Sequence, residues 1–242
     1  MTRARDIMDR VSQAQSSVKD HGRPALQRFR LGAAPTPGAL LIPALLRSLS
    51  DQDKIQIDLR EGLSADLIGQ LENGTLEIAL CYDPDVQQSL RIEPLLQDDL
   101  VLIGPPGHIN TNAAFVQFRD LGRFPLILDT PNQITRKLID RMAQREKVAL
   151  QIKMELESIN LKREFLIAMK CFSIVPLGLF HEAIDAGRFD WAPIAKPCIS
   201  RTLCLLSSHE VPEAQFAIVR QALAPAIQHW IERGTVNWRS LS

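Results

Sequence analysis

The stretch from Phe29 to Tyr82, FRLGAAPTPGALLIPALLRSLSDQDKIQIDLREGLSADLIGQLENGTLEIALCY, constrains the fold more than any other. Its apolar residues switch from alternation to helical spacing and back twice, which predicts strand, helix, strand, helix, strand. Phe29, Leu31 and Ala33 alternate with Arg30 and Gly32. Thr36 and Pro37 then mark a helix start. A hydroxyl there accepts from the first free amides, and proline loses nothing at the first helical position because its missing N–H would be unbonded anyway. Leu41, Ile42, Leu45, Leu46 and Leu49 give the helix one apolar face, and Pro43 predicts a late or kinked start. Ile55, Ile57 and Leu59 alternate in a second strand that turns at Glu61-Gly62. Ser64 is the expected cap of a second helix, which faces inward through Leu67, Ile68 and Leu71 and ends at Asn73-Gly74. Leu76 to Cys81 is apolar apart from Glu77, as in a strand covered on both faces of a parallel sheet. Two successive β-α-β units imply right-handed crossovers and an open α/β sheet. Such sheets hold ligands beyond the carboxyl ends of their strands, near helix N-termini. The segments Ala34 to Gly38 and Gly62 to Ser64 are therefore candidate site residues.

The rest of the chain repeats this logic. Leu90 to Leu96 and Leu100 to Ile103 read as strands stopped by Gly104-Pro105-Pro106-Gly107. Phe124 to Leu128 is an apolar strand followed by Asp129-Thr130-Pro131-Asn132, a second hydroxyl-and-proline helix opening, with Ile134, Leu138, Ile139 and Met142 facing inward. Ile152, Met154 and Leu156 alternate, a helix from Asn160 to Lys170 faces inward through Leu161, Phe165, Leu166 and Met169, and Ile174-Val175-Pro176 is a short strand. Residues 177–186 read as a helix ended by Gly187, residues 201–207 as a strand, and Pro212 opens a last long helix. The expected architecture is α/β: two Rossmann-like subdomains joined by two crossover strands, near 99–103 and 202–206. Subdomain I is residues 23–100 plus 207–242, and subdomain II is residues 101–206. Ahead of them, in residues 1–22, Ala4, Ile7, Val11, Ala14 and Val18 follow a 3, 4, 3, 4 spacing. That is a heptad seam, either a dimerising linker helix or an amphipathic helix packed on its own domain.

A strand ending in a small residue and Thr36, then LIPALLRSL, IDLREGLSADLIGQLENGTLEIAL and RIEPLLQDDLVLIGPPGH in that order, resembles the effector-binding domain of LysR-type transcriptional regulators. The resemblance is tightest from Arg30 to His108 and continues to about Trp230. It implies a type 2 periplasmic-binding-protein-like fold and a small-molecule effector, a carboxylate or other anion, bound between the subdomains without a cofactor. It also implies a cytoplasmic homodimer or homotetramer formed with a linker helix, and DNA contact only through a winged helix-turn-helix that this chain lacks. Thr36, Pro37, Gly62, Ser64 and Thr130 are the effector-binding candidates, the hydroxyls serving either as plain caps or jointly to orient an anion. Arg136 and Arg201 are counter-charges or solvated surface. The chain departs from the family where relatives carry a Gly-x-Gly turn and it has Met169-Lys170-Cys171-Phe172. Lys170 and Phe172 are expected to narrow the cleft mouth, with Phe172 stacking on a ligand, walling it off, or packing in the core.

Composition narrows the alternatives. Lys plus Arg and Asp plus Glu both number 28, so the chain carries no net charge to draw it to nucleic acid. No apolar run approaches the roughly 20 residues that cross a bilayer, so no membrane partner is expected. The charged start MTRARDIMDR lacks the apolar core of a secretory signal, which counts against the alternative of a free-standing solute-binding protein of the same two-lobed fold. Nucleophile-elbow, phosphate-loop, zinc-protease and dinucleotide motifs are absent, and the five histidines are dispersed, so no enzyme and no metal is expected. Cys81, Cys171, Cys198 and Cys204 form no C-x-x-C pair and are expected to be reduced thiols, with Cys81 and Cys204 in apolar strands.

Overall fold

The structure is a computed structural model and describes residues 27–50, 55–84, 90–110 and 113–241. The heptad seam of Ala4, Ile7, Val11, Ala14 and Val18 lies outside the described residues.

Lobe I begins with β1 (Gln27–Ala33), α1 (Pro35–Ser50), β2 (Ile55–Glu61), α2 (Ser64–Glu72) and β3 (Ile78–Tyr82). β1 pairs in parallel with β2 on one side and β3 on the other, as two β-α-β units require. All five residues of β3 are buried. Its alternate side chains enter different cores: Ile78, Leu80 and Tyr82 pack under Leu41 and Leu45 of α1, and Ala79 and Cys81 against Leu67 and Leu71 of α2. Three elements from further along the chain complete the lobe: β4 (Leu90–Asp99), β11 (Ser200–Ser208) and β12 (Trp238–Arg239), giving the order β12-β4-β11-β3-β1-β2. Helix α6 (Glu213–Arg233) buries Phe216, Val219 and Leu223 against α1, and the Trp230 indole N–H donates to the Leu40 carbonyl at 3.1 Å.

Lobe II holds β5 (Val101–Gly104), β6 (Val116–Gln117), β7 (Pro125–Leu128), α3 (Ile134–Glu146), β8 (Gln151–Glu155), α4 (Ile159–Ala168), β9 (Ser173–Val175), α5 (His181–Asp185) and β10 (Asp190–Ala195). The predicted helix over 177–186 is a 3-10 turn at Leu177–Leu179 followed by the short α5. Two ladders, β6-β10-β5-β9 and β7-β8, are joined by the backbone of Phe172, whose N–H donates to Pro125 O at 2.9 Å and whose carbonyl accepts from Ile127 N at 2.8 Å.

The chain passes between lobes at Leu100 and again over residues 196–199, and the two crossings are bonded to each other by Leu100 N donating to Ile199 O at 2.8 Å. β11 pairs with β4 along its whole length and with β3 over 203–207, so residues 200–206 belong to the lobe I sheet, not to a subdomain II ending at 206. Burial explains the shift. Leu203 and Leu205 enter the α1 core and Cys204 and Leu206 the α2 core, so the apolar side chains of the strand all pack within lobe I.

Phe172 corrects the expectation of a narrowed cleft. The side chain is buried in the lobe II core, edge-on to Phe124 with ring centroids 4.8 Å apart. The space it fills is provided by Gly104, where a Cβ would lie 2.3 Å from the Phe172 ring. Gly104→Ala should therefore cost about 1–3 kcal/mol by overpacking, seen as a lower denaturant midpoint at unchanged slope.

Of the cysteines, Cys81, Cys171 and Cys204 are buried and Cys198 is exposed. Burial, then the neighbouring Cys204, pushes the Cys81 thiol up to about 12, and burial pushes Cys204 up to about 11. Only thiolates alkylate readily, so iodoacetamide at pH 8 should label Cys198 alone in the folded protein. Mass spectrometry showing Cys81 labelled as fast as Cys198 would contradict this packing.

Candidate functional site

Between the lobes lies a cavity of about 360 Å³ onto which four helix starts converge. Ala34, Pro35 and Thr36 line it from α1, Leu63, Ser64 and Ala65 from α2, Gln133, Ile134 and Thr135 from α3, and Ile159 and Lys162 from α4. Tyr82 at the end of β3, Asp129 beyond β7 and Arg201 in β11 add polar groups, together with Glu61, Asn132 and Glu157.

The three expected capping hydroxyls behave differently from the sequence expectation. α1 starts at Pro35, one residue before Thr36, and the Ala34 carbonyl accepts the first helical bond from Gly38 N at 2.8 Å. Because prolines occupy 35 and 37, Thr36 carries the one free N–H of that first turn. The Thr36 hydroxyl, buried, accepts from Arg201 Nη2 at 3.3 Å. Ser64 lines the cavity, but its Oγ accepts from Tyr82 N at 3.0 Å, tying α2 to β3 without capping its own helix. Thr130 stands outside the lining and donates to Glu157 Oε1, while α3 starts later, at Ile134, with no side-chain cap. Of the other candidates, Pro37 is buried within α1, Gly62 bonds back to Ala33 O at 3.2 Å, and Lys170 is exposed with φ of 50°. None of these, nor Phe172, lines the cavity.

Arg201 is the centre of the arrangement and is buried, not solvated. Its Nε and Nη2 donate to Asp98 Oδ2 at 3.1 and 2.8 Å, Nη2 also to Thr36, and Nη1 to Thr135 Oγ1 at 3.2 Å. Its guanidinium lies 3.5 Å from the Tyr82 ring centroid, and the Tyr82 hydroxyl donates to Asp98 Oδ2 at 2.8 Å. One side chain thus holds Asp98, Tyr82 and Thr36 of lobe I and Thr135 of lobe II. Burial works against the guanidinium charge, but Tyr82, Asp98 and Asp83 around it outweigh burial and raise its pKa above the ordinary value. Burial likewise pushes the Asp98 carboxyl up, against the pull of the Arg201 charge. Four of the five guanidinium N–H groups are engaged, leaving one on Nη1.

Lys162 was missed because helix α4 is turned by one position from the apolar face predicted for it. Lys162 and Leu166 are its buried residues, whereas Leu161 is 50% and Met169 46% exposed. The turn places the Lys162 ammonium, 2% exposed, against Asp129 Oδ1, which meets one of its three donors. Arg136 is a counter-charge elsewhere: it bonds Asp140 Oδ1 and Glu155 Oε1 at 2.9 Å each, and Asp129 O at 2.8 Å, away from the cavity. Among the described residues no cluster of His, Cys, Asp and Glu is suited to a metal, and no helix is long and apolar enough to cross a membrane.

Residues 23–232 match the LysR substrate binding domain family. The chain belongs to the LysR family. Among LysR relatives it is 25% identical over 209 residues to the HTH-type transcriptional regulator BbuR of Bordetella bronchiseptica, which covers 86% of this chain and 64% of BbuR. Its fold is that of LysR regulatory domains, type 2 periplasmic-binding-protein-like. The reduced form of OxyR from N. meningitidis superposes with a TM-score of 0.73 at 21% identity, covering 89% of this chain and all of that one. The effector binding domain of QuiR in complex with shikimate superposes with a TM-score of 0.72 at 19% identity, covering 85% of this chain and 99% of that one.

A buried charge stripped of its partner is strongly destabilising, so Asp98→Asn should cost about 3–5 kcal/mol. Replacing both partners, Asp98→Asn with Arg201→Met, should cost less than the sum of the single changes. Strict additivity in chemical denaturation would show that the pair is not coupled.

Proposed function

We propose that this chain is the ligand-sensing, dimerising domain of a LysR-type transcriptional regulator, with a small acid-bearing effector bound in the cavity between its lobes. The observation that carries the reading is the buried Arg201, shared between lobes, and a buried Lys162 lining the same cavity, each with an N–H to spare. A carboxylate meets both from the centre of the cavity, with the first amides of α3 as further donors. QuiR, a neighbour of this fold, holds shikimate, itself an acid, which fits a site of this kind.

The signal follows from the location of Arg201. It sits in β11 two residues past the second crossing and pairs in register with Asp98 of β4, just before the first. A ligand that draws on Arg201 and Thr135 together stabilises one angle between lobes over another, and so shifts a population of conformers. In an intact regulator that angle sets how paired subunits present their DNA-binding domains. The similarity to regulators such as BbuR favours this reading over a free-standing solute-binding protein.

Calorimetry with a panel of small organic acids is expected to find a binder, and Thr135→Ala and Lys162→Gln should each weaken it at least tenfold. Affinity unchanged in both variants would remove the cavity as its site.

A further inference from the structure

The charges around the cavity are not those of a simple anion trap. Its lining has two cations, Lys162 and Arg201, and three carboxylates, Asp129, Glu61 and Glu157. Each cation already has its own carboxylate, Lys162 with Asp129 and Arg201 with Asp98 behind it. Glu61 and Glu157 are then left over. Among the described residues the Glu61 side chain forms no hydrogen bond or ion pair, and Glu157 accepts only the Thr130 hydroxyl. The four helix N-termini, each worth roughly half a positive charge, offset this excess to about neutrality. The start of α1 contributes less than its share of donors, since Pro35 and Pro37 have no N–H to point at an anion.

A ligand with an acid alone would use Lys162, the spare Nη1 donor of Arg201 and the α3 amides, yet leave two carboxylates facing it. We propose that the effector is zwitterionic: alongside its acid it carries an ammonium group, held by Glu61 of lobe I and Glu157 of lobe II. Glu61 reaches over the first turn of α1, its Oε2 lying 3.7 Å from where a Cβ on Gly38 would sit. Glu157 ends the loop before α4, so the two carboxylates arrive from different lobes. Like charges oppose closure of an empty cleft, and a cation shared between them reverses the sign. The ammonium therefore favours the closed angle by a term that an uncharged substituent lacks. The inference rests on the cavity being the effector site, and it refines the chemistry of what enters.

The test separates the two ideas. The chain is screened by thermal shift and then calorimetry against the proteinogenic amino acids and γ-aminobutyrate, each beside the hydroxy acid and the des-amino acid of the same skeleton. The expected result is an amino acid as the tightest ligand, with at least a tenfold loss in its des-amino and hydroxy counterparts. In Glu61→Gln with Glu157→Gln, changes at exposed side chains outside the Arg201 network, that ratio should fall to within about twofold while the acid itself still binds. Acids that bind regardless of the amine, or a preference that survives both substitutions, overturn the zwitterion and leave the effector site standing. If neither set binds, the acid-effector reading of the cavity falls, and this inference with it.

Discussion

The ion pair between Asp98 and Arg201 ties together the two strands that pass from one lobe to the other. They face each other in register on β4 and β11, immediately inside the two crossings, where Leu100 and Ile199 are also bonded. Three donors converge on Asp98 Oδ2, two from Arg201 and one from Tyr82. A buried pair of this kind adds little to stability beyond what hydrophobic packing would supply, because desolvation of both charges consumes most of the attraction. Its importance is geometric. It fixes a guanidinium at the junction with bonds to Thr36 in one lobe and Thr135 in the other, so the lobes meet through a polar contact beside the cavity.

The cavity exists because α/β topology sends helix starts to the carboxyl ends of strands, and two such lobes face each other. Several polar groups at the helix starts are already engaged or missing. The prolines at 35 and 37 strip donors from α1, Ser64 is committed to Tyr82 N, and Thr130 to Glu157. The charged groups that line the cavity are the buried Arg201 and Lys162 and the carboxylates Asp129, Glu61 and Glu157. Under the zwitterionic reading proposed above, that combination selects for a pattern of charge on the ligand, where a bare helix terminus selects only for its sign.

Much of the fold was legible because local patterns carried it. Phe29 to Tyr82 alternated and then ran at helical spacing where β1, α1, β2, α2 and β3 stand, and the fully apolar β3 is buried on both faces. Thr36 and Ser64 were found from their positions at strand-to-helix turns, and both line the cavity. The failures have physical causes. Lys162 lay off the best apolar stripe of its helix, and only Asp129, 33 positions earlier, gives its ammonium a reason to turn inward. For Phe172 cleft and core both stayed open in the sequence, because its partner in packing, Gly104, was distant along the chain. Arg201 at the head of an apolar strand was a usable signal, since a charge beside LCLLS must either face water or find a counter-ion such as Asp98.

By itself, then, the sequence determined which segments become strands and helices, their order, the division into two α/β lobes and the membership of the LysR family. The elements and their order follow from periodicity and turn chemistry within a few residues of one another, and the family from the resemblance of whole motifs taken in order. Only the tertiary structure decided which charges are buried, what each pairs with and which of them face the cavity. Those outcomes depend on desolvation and on partners as many as 165 residues apart, as Thr36 and Arg201 are, and no local pattern records them.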